Sequence, residues 1–397
     1  MRSTSCRQIA LEVLDRAIAG DPPGELPRVL VEEACGTALF GILAEGLADR
    51  FEPALCDTYA RLFAQAVAHV TPGVEPAILV DHYQRVRRPR PVSRPPRRIV
   101  VLSRVTLGAD VNITSVLMAA AKRRFPRAEI FFAGPHKNFE LFAADRRLRH
   151  APLSYAKGGL RERLAVWGEL KALVEADDCL VVDPDSRLTQ LGLLPVGSED
   201  RYHLFESRAY GAESDHALSA LAAAWAAETF GVAGAKPYVA LSRTPRHAPY
   251  CAVSLGVGEN SGKRLADPFE ENLLAAADLH ERGIGLCIDQ GAGGEEAARA
   301  ARAVERSGVK ATLWEGSFAG FAGIIAGSRL YIGYDSAGQH VAAACGVPLI
   351  SIFSGYCVSR FFHRWRPMGE RCEVIRVEGH DVSSVLDQVR AAIGRLV

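Results

Sequence analysis

The sequence has almost no net charge: 47 Lys and Arg stand against 46 Asp and Glu, a formal +1 at pH 7. That excludes the broad basic footprint of a nucleic-acid binder. Long apolar runs are also missing, and no stretch approaches the ~20 residues of a membrane span. The start, MRSTSCRQIALEVLDRAIAGD, has charges through its middle, where a secretory signal needs an unbroken apolar segment. Nine cysteines are scattered at 6, 35, 56, 179, 251, 287, 345, 357 and 372, none two to four apart, so zinc-knuckle spacing is absent. An odd, dispersed set suits a reducing cytosol, with most cysteines acting as small buried apolar residues. There is no Walker A loop and no long internal repeat. An Asp-x-Asp pair is missing near the Gly-rich loops; Asp183-Pro184-Asp185, with its central Pro, reads as a turn.

What is present is α/β. At 397 residues the chain is long enough for two such domains and an extension. Residues 1–84 read as helical, with Ile9, Val13, Leu14 and Ile18 on one face, and further helical stretches over Leu30–Leu47 and Leu55–Val70. This suggests a small helical domain or a dimerisation element, hence a homo-oligomeric contact. Residues 85–98, RVRRPRPVSRPPRR, are basic and Pro-rich. They read as an extended linker, with contact to an anionic membrane surface or an acidic acceptor as the functional alternative. Residues 99–235 open on the apolar strand Ile99–Leu102, then a loop with Gly108 and Asp110, a helix to Phe125, and the strand Ala128–Ala133. The loop lies at a strand's carboxyl end, where open α/β sheets place ligands. Asp110 is either a helix N-cap or a carboxylate aimed into a cleft.

Residues 236–380 form a second unit of this kind, and residues 381–397 a closing helix. Tyr250–Leu255 leads into a Gly-rich loop ending in Lys263-Arg264, which suits a phosphate. Glu295 and Glu296 sit at a helix start, where they complement the dipole or hold a ribose hydroxyl. The stretch Leu330–Pro348, LYIGYDSAGQHVAAACGVP, reads strand, loop, helix, turn. A helix N-terminus entered from a strand end is a natural anion site. Asp335 or Ser336 is placed to cap it, and Gly338 lets a ligand approach the backbone.

These motifs together resemble the heptosyltransferase-like glycosyltransferase family 9. The resemblance rests on Val105–Phe125 with Pro126, on Ser254–Arg264, on Gly291–Glu296, on Leu330–Pro348 and on Phe353-Ser354-Gly355, and covers roughly 98–380. It implies a GT-B fold: two facing Rossmann-like domains with parallel sheets, the first for the acceptor and the second for the donor. It implies an inverting, metal-independent glycosyltransferase, without a cofactor, that moves a sugar, as heptose from ADP-heptose, to a glycan, glycolipid or protein acceptor. Carried over by position, Asp110 is the general base. Lys263 holds the diphosphate, Arg264 beside it is a further substrate-binding residue, Glu295 or Glu296 holds the ribose, and Asp335, Ser336, Gly338 and His340 line diphosphate and sugar. The enzyme would be cytoplasmic or peripheral to the inner membrane. Three departures stand out: Ala109 is an extra residue before Asp110, Leu265 replaces an aromatic, and Ala337 replaces a Gly. A nucleotide-sugar epimerase on the same fold and a non-catalytic binding or assembly protein are the alternatives.

Overall fold

A computed structural model describes residues 2–175, 178–212, 214–242, 250–258, 260–291, 293–379 and 382–397. Glu259 of the Gly-rich loop, Ala292 of the Gly-x-x-x-Glu element and Asp381 before the closing helix lie outside the described residues. The chain divides into two compact units. The first comprises Met1–Thr106, Val116–His136 and Arg147–Ala235; the second comprises Leu107–Ser115, Lys137–Arg146 and Lys236–Val397. The Asp110 segment, which sequence order puts in the first domain, therefore packs with the second unit.

The first unit holds a parallel sheet in the order β3-β2-β1-β4-β5. Its strands are β1 (Arg98–Leu102), β2 (Glu129–Gly134), β3 (Leu148–Pro152), β4 (Cys179–Asp183) and β5 (Tyr202–Leu204). Ile99, Val100, Val101 and Leu102 are buried without remainder, as a central parallel strand requires. β3 and β5 are not legible in the sequence. Arg149 and His150 interrupt the first, and the second has three residues in a stretch that reads as loops.

The N-terminal helices do not form a separate domain. Leu39, Leu43, Tyr59, Phe63, Val67 and Tyr83 share one hydrophobic cluster with Val100, Leu102 and Leu204 of the sheet. Most of their apolar side chains pack on this chain's own core, while Ile18 and Ile78 stay exposed at 38% and 61%. Leu30–Leu47 is not one helix but a chain of short 3₁₀, α and π turns. Gly36 is the weak point, because a Cβ there would stand 3.1 Å from the Gly159 backbone. Cys6 and Cys35 are joined by a disulfide, where the dispersed cysteines suggested a reducing setting.

The basic arm is tied to the first unit at several points. Its first two residues end the helix Pro76–Val86. Arg85 makes a two-pronged pair with Glu199, at 2.8 Å on each side. Arg87 pairs with Asp57 and, at 2.9 Å, with Glu206. Arg90 donates to the Tyr202 carbonyl at 2.9 Å, and Val92 N–H to the Thr229 carbonyl at 3.0 Å. Arg88, Arg94 and Arg97 remain exposed.

The second unit holds a six-stranded parallel sheet in the order β8-β7-β6-β9-β10-β11. Its strands are β6 (Tyr250–Ser254), β7 (Gly285–Asp289), β8 (Ala311–Trp314), β9 (Leu330–Tyr334), β10 (Leu349–Phe353) and β11 (Cys372–Arg376). Strand order reverses between β6 and β9, and that switch point is where doubly wound sheets bind ligands. The helix Val382–Leu396 closes the unit, with Val389, Ala392 and Ile393 in its core. No described helix is long and apolar enough to cross a membrane.

Candidate functional site

The loops leaving β6 and β9 meet at the switch point. Asn260 turns the first of them by accepting the Gly262 N–H at 3.1 Å, which starts the 3₁₀ turn Ser261–Lys263. Lys263 then reaches the second. Its Nζ donates to Asp335 Oδ2 at 2.5 Å and to the Asp335 carbonyl at 3.2 Å. The loop after β10 locks this arrangement, since Ser354 Oγ donates to the Lys263 carbonyl. Gly355, at φ +65°, lies so close that a Cβ would stand 2.1 Å from the Gly262 carbonyl oxygen.

The helix Ala337–Ala344 begins directly above. Ser336 takes its N-cap position but makes no side-chain capping bond. Neither expected cap therefore acts as one. The Asp335 carboxylate is held by Lys263 and by Gln339, while Ser336 is fully extended at φ −152° and ψ −176°. The first-turn N–H groups thus have no side-chain cap, which suits an anionic ligand.

Gly338 has a different explanation from the expected one. A Cβ there would stand 2.1 Å from the Tyr331 hydroxyl oxygen. The glycine makes room for a buried ring on β9, which also accounts for the unusual Ser-Ala-Gly order. Gly338→Ala should accordingly destabilise the protein by about 1–3 kcal/mol through overpacking. Helix propensity alone would instead stabilise it by about 1 kcal/mol. Thermal denaturation distinguishes the two signs, and a raised melting temperature would show that the ring yields.

His340 is buried, and burial pushes its pKa down to about 4; Asp335 opposes that shift and Lys263 adds to it. The ring is therefore held neutral at pH 7. Its Cδ2 is 3.2 Å from where a Gly108 Cβ would stand, and the Ala337 Cα is equally near. The turn carrying Asp110 therefore rests its backbone on this helix start.

Asp110 is not a cap. It is fully buried and begins a π-helical turn, Asp110–Thr114, after the short helical turn Leu107–Ala109. A π turn holds one residue more than an α turn, so it absorbs the additional Ala109. The carboxylate accepts from Thr114 Oγ1 and from Asn138 Nδ2, each at 2.6 Å. Such fixed, charge-assisted bonds orient a carboxylate.

The two glutamates separate. Glu295 is 83% exposed and paired with Arg302 at 2.8 Å. Glu296 instead fills the notch between Gly256 and Gly291, where Cβ atoms would approach it to 2.4 and 2.3 Å. It thus lies over the ends of β6 and β7, beside Asp289, whose pKa burial raises to about 6 with Glu296 adding to the shift. Arg264 is tied to the buried Glu270 at 3.3 Å and holds the helix Asp267–Ala276 under the loop. Lys263, Asp335 and the helix start carrying Ser336, Gly338 and His340 are brought together, while Glu295 and Arg264 are directed elsewhere.

Sequence reasoning missed Gln339, Ser351 and Asn138. Gln339 is fully buried in an Ala-rich helix, four residues after Asp335, and that i, i+4 spacing was the available signal. Asn138, between Lys137 and Phe139, gave none.

Residues 267–387 match the model of glycosyltransferase family 9 (heptosyltransferase). Among solved structures, the E. coli heptosyltransferase WaaC with ADP is similar at 16% identity and a TM-score of 0.57, over 76% of this chain and 100% of that one. The family 9 glycosyl transferase from Veillonella parvula DSM 2008 is similar at 15% identity and 0.59, over 77% and 99%. E. coli ADP-heptose lps heptosyltransferase II is similar at 17% identity and 0.50, over 75% and 99%. At these identities the structural likeness speaks for a shared GT-B fold. No curated protein matches the chain.

Proposed function

We propose that this glycosyltransferase, which carries the family 9 signature in its second unit, transfers a sugar with inversion from a nucleotide-diphosphate donor. We assign ADP-heptose as that donor, in keeping with the family, and the hydroxyl of a glycan, glycolipid or protein as the acceptor. The observation that carries the reading is the Lys263–Asp335 pair set beneath an uncapped helix N-terminus at the sheet's switch point. An ammonium and backbone N–H groups neutralise a leaving diphosphate by electrostatic preorganisation, with no divalent ion required. In this reading Glu296 holds the ribose, and Asp335 and His340 face the sugar. Asp110 takes the acceptor's proton as the C–O bond to the anomeric carbon forms and the nucleotide diphosphate departs. The work belongs in the cytoplasm, where nucleotide sugars are supplied.

The test is ligand-induced stabilisation. A ligand bound only by the native state at ~100 times its Kd stabilises it by about 2.7 kcal/mol. ADP and ADP-heptose are expected to raise the melting temperature of the native chain and to do so markedly less in Lys263→Ala. An equal shift in Lys263→Ala would remove the lysine from the diphosphate site.

A further inference from the structure

At the helix Ala337–Ala344 runs a buried polar relay that extends the motif residues Asp335 and Lys263 to Gln339 and to Ser351 on β10. Gln339 is fully buried, Ser351 on β10 likewise, and Asp335 is 5% exposed. Ser351 Oγ donates to Gln339 Oε1, and Gln339 Nε2 donates to Asp335 Oδ1. The remaining Asp335 oxygen, Oδ2, receives Lys263 Nζ at 2.5 Å. The amide can sit only one way round, since the reverse would set its oxygen against the carboxylate. Each member thus fixes the next, from a central strand outward to the lysine.

We infer that Gln339 is a positioning residue for donor binding: anchored by Ser351, it locks the Asp335 carboxylate so that Lys263 is held ready for a phosphate. The inference rests on the reading of Lys263 as the diphosphate ligand. An ammonium has three N–H donors. Asp335 takes two of them, through Oδ2 and through its carbonyl at 3.2 Å, which leaves one to give and a fixed direction in which to give it. Without Gln339 the carboxylate is free to turn about its last bond, and the long lysine chain, with four rotors, turns with it. The ligand would then have to order both groups on binding, which lowers affinity.

The experiment is calorimetric titration of ADP into the full chain and into Gln339→Met, Ser351→Ala, Lys263→Ala and the Gln339→Met/Lys263→Ala double variant. Gln339→Met should weaken ADP binding about tenfold, the scale of one charge-assisted hydrogen bond. Ser351→Ala should weaken it in the same direction by less. In the Lys263→Ala background Gln339→Met should add nothing, because the lysine through which it acts is gone. A merely structural glutamine would weaken binding equally in both backgrounds, and that result overturns the inference. So does wild-type affinity in Gln339→Met. If that variant fails to fold, Ser351→Ala, alone and with Lys263→Ala, is read by the same criteria. Absence of ADP binding by the native chain overturns the donor reading itself, a result separate from the other two.

Discussion

Asp110→Asn is expected to reduce transfer by roughly 10²–10⁴-fold, the contribution of a positioned general base, while ADP affinity stays within about twofold. The substitution is chosen because the fold accepts it. An asparagine can point its carbonyl oxygen at Asn138 Nδ2 and its amide at Thr114 Oγ1, whose hydroxyl turns from donor to acceptor. The π-helical turn and its contact with the helix Ala337–Ala344 are left as they are, but the group that takes a proton is gone. The measurement is the rate of ADP release from ADP-heptose in the presence of an acceptor, set against ADP binding by calorimetry. Loss of both would mean that Asp110 serves the fold of the site. Loss of neither would mean that another group takes the acceptor's proton, whereas absence of transfer by the native chain would return it to the non-catalytic reading.

Arg208→Met is the largest expected stability effect, about 3–5 kcal/mol, and it lies wholly in the first unit. Arg208 and Asp185 are both buried and form a two-pronged pair, Nε to Oδ2 at 2.9 Å and Nη2 to Oδ1 at 3.0 Å. Ser207 Oγ also donates to Asp185 at 2.9 Å, and Arg104 stands 3.7 Å off. Those two partners cannot replace a bidentate guanidinium, so the methionine leaves a carboxylate charge largely uncompensated in the interior. The same knot joins the N-terminal helices to the sheet: Arg208 lies 5.0 Å over the Tyr59 ring, and Glu206 accepts from Tyr83. Burial raises the Glu206 pKa to about 8, an effect that Arg208 opposes, so removing the arginine also destabilises its charged form. Urea denaturation followed by Trp167 and Trp225, both in this unit, should show the loss. A change below about 1 kcal/mol would mean that the pair only offsets its own desolvation.

Both sheets were largely legible because a central parallel strand leaves a mark that nothing else leaves: a short run of β-branched residues, as in Ile99-Val100-Val101-Leu102, followed by a Gly-bearing loop. Edge strands such as β3 leave a weaker one, because their polar residues are tolerated. The helix after β9 was legible for the same reason as the strands, through its Ala run and its terminal Gly346 and Pro348. What could not be read was set by partners distant in sequence. Gln339 looked like filler until β10 brought Ser351 beside it. Gly338 looked like room for a ligand until Tyr331 filled that space. Arg85 and Arg87 looked like a solvated arm until Glu199 and Glu206 arrived from more than a hundred residues away. The Cys6–Cys35 bond joins residues with no spacing signal at all. Of the two glutamates, only the helix register decided that Glu296 and not Glu295 faces the glycine notch.

The central claim is that the second unit holds a nucleotide diphosphate through Lys263 and backbone N–H groups. The most direct measurement is calorimetric titration of ADP into the native chain with excess chelator present. The account predicts binding at one site per chain, unchanged by the chelator and at least tenfold weaker in Lys263→Ala, the scale of a lost charge-assisted contact. Binding that disappears with the chelator, or that is unaltered in Lys263→Ala, would contradict it.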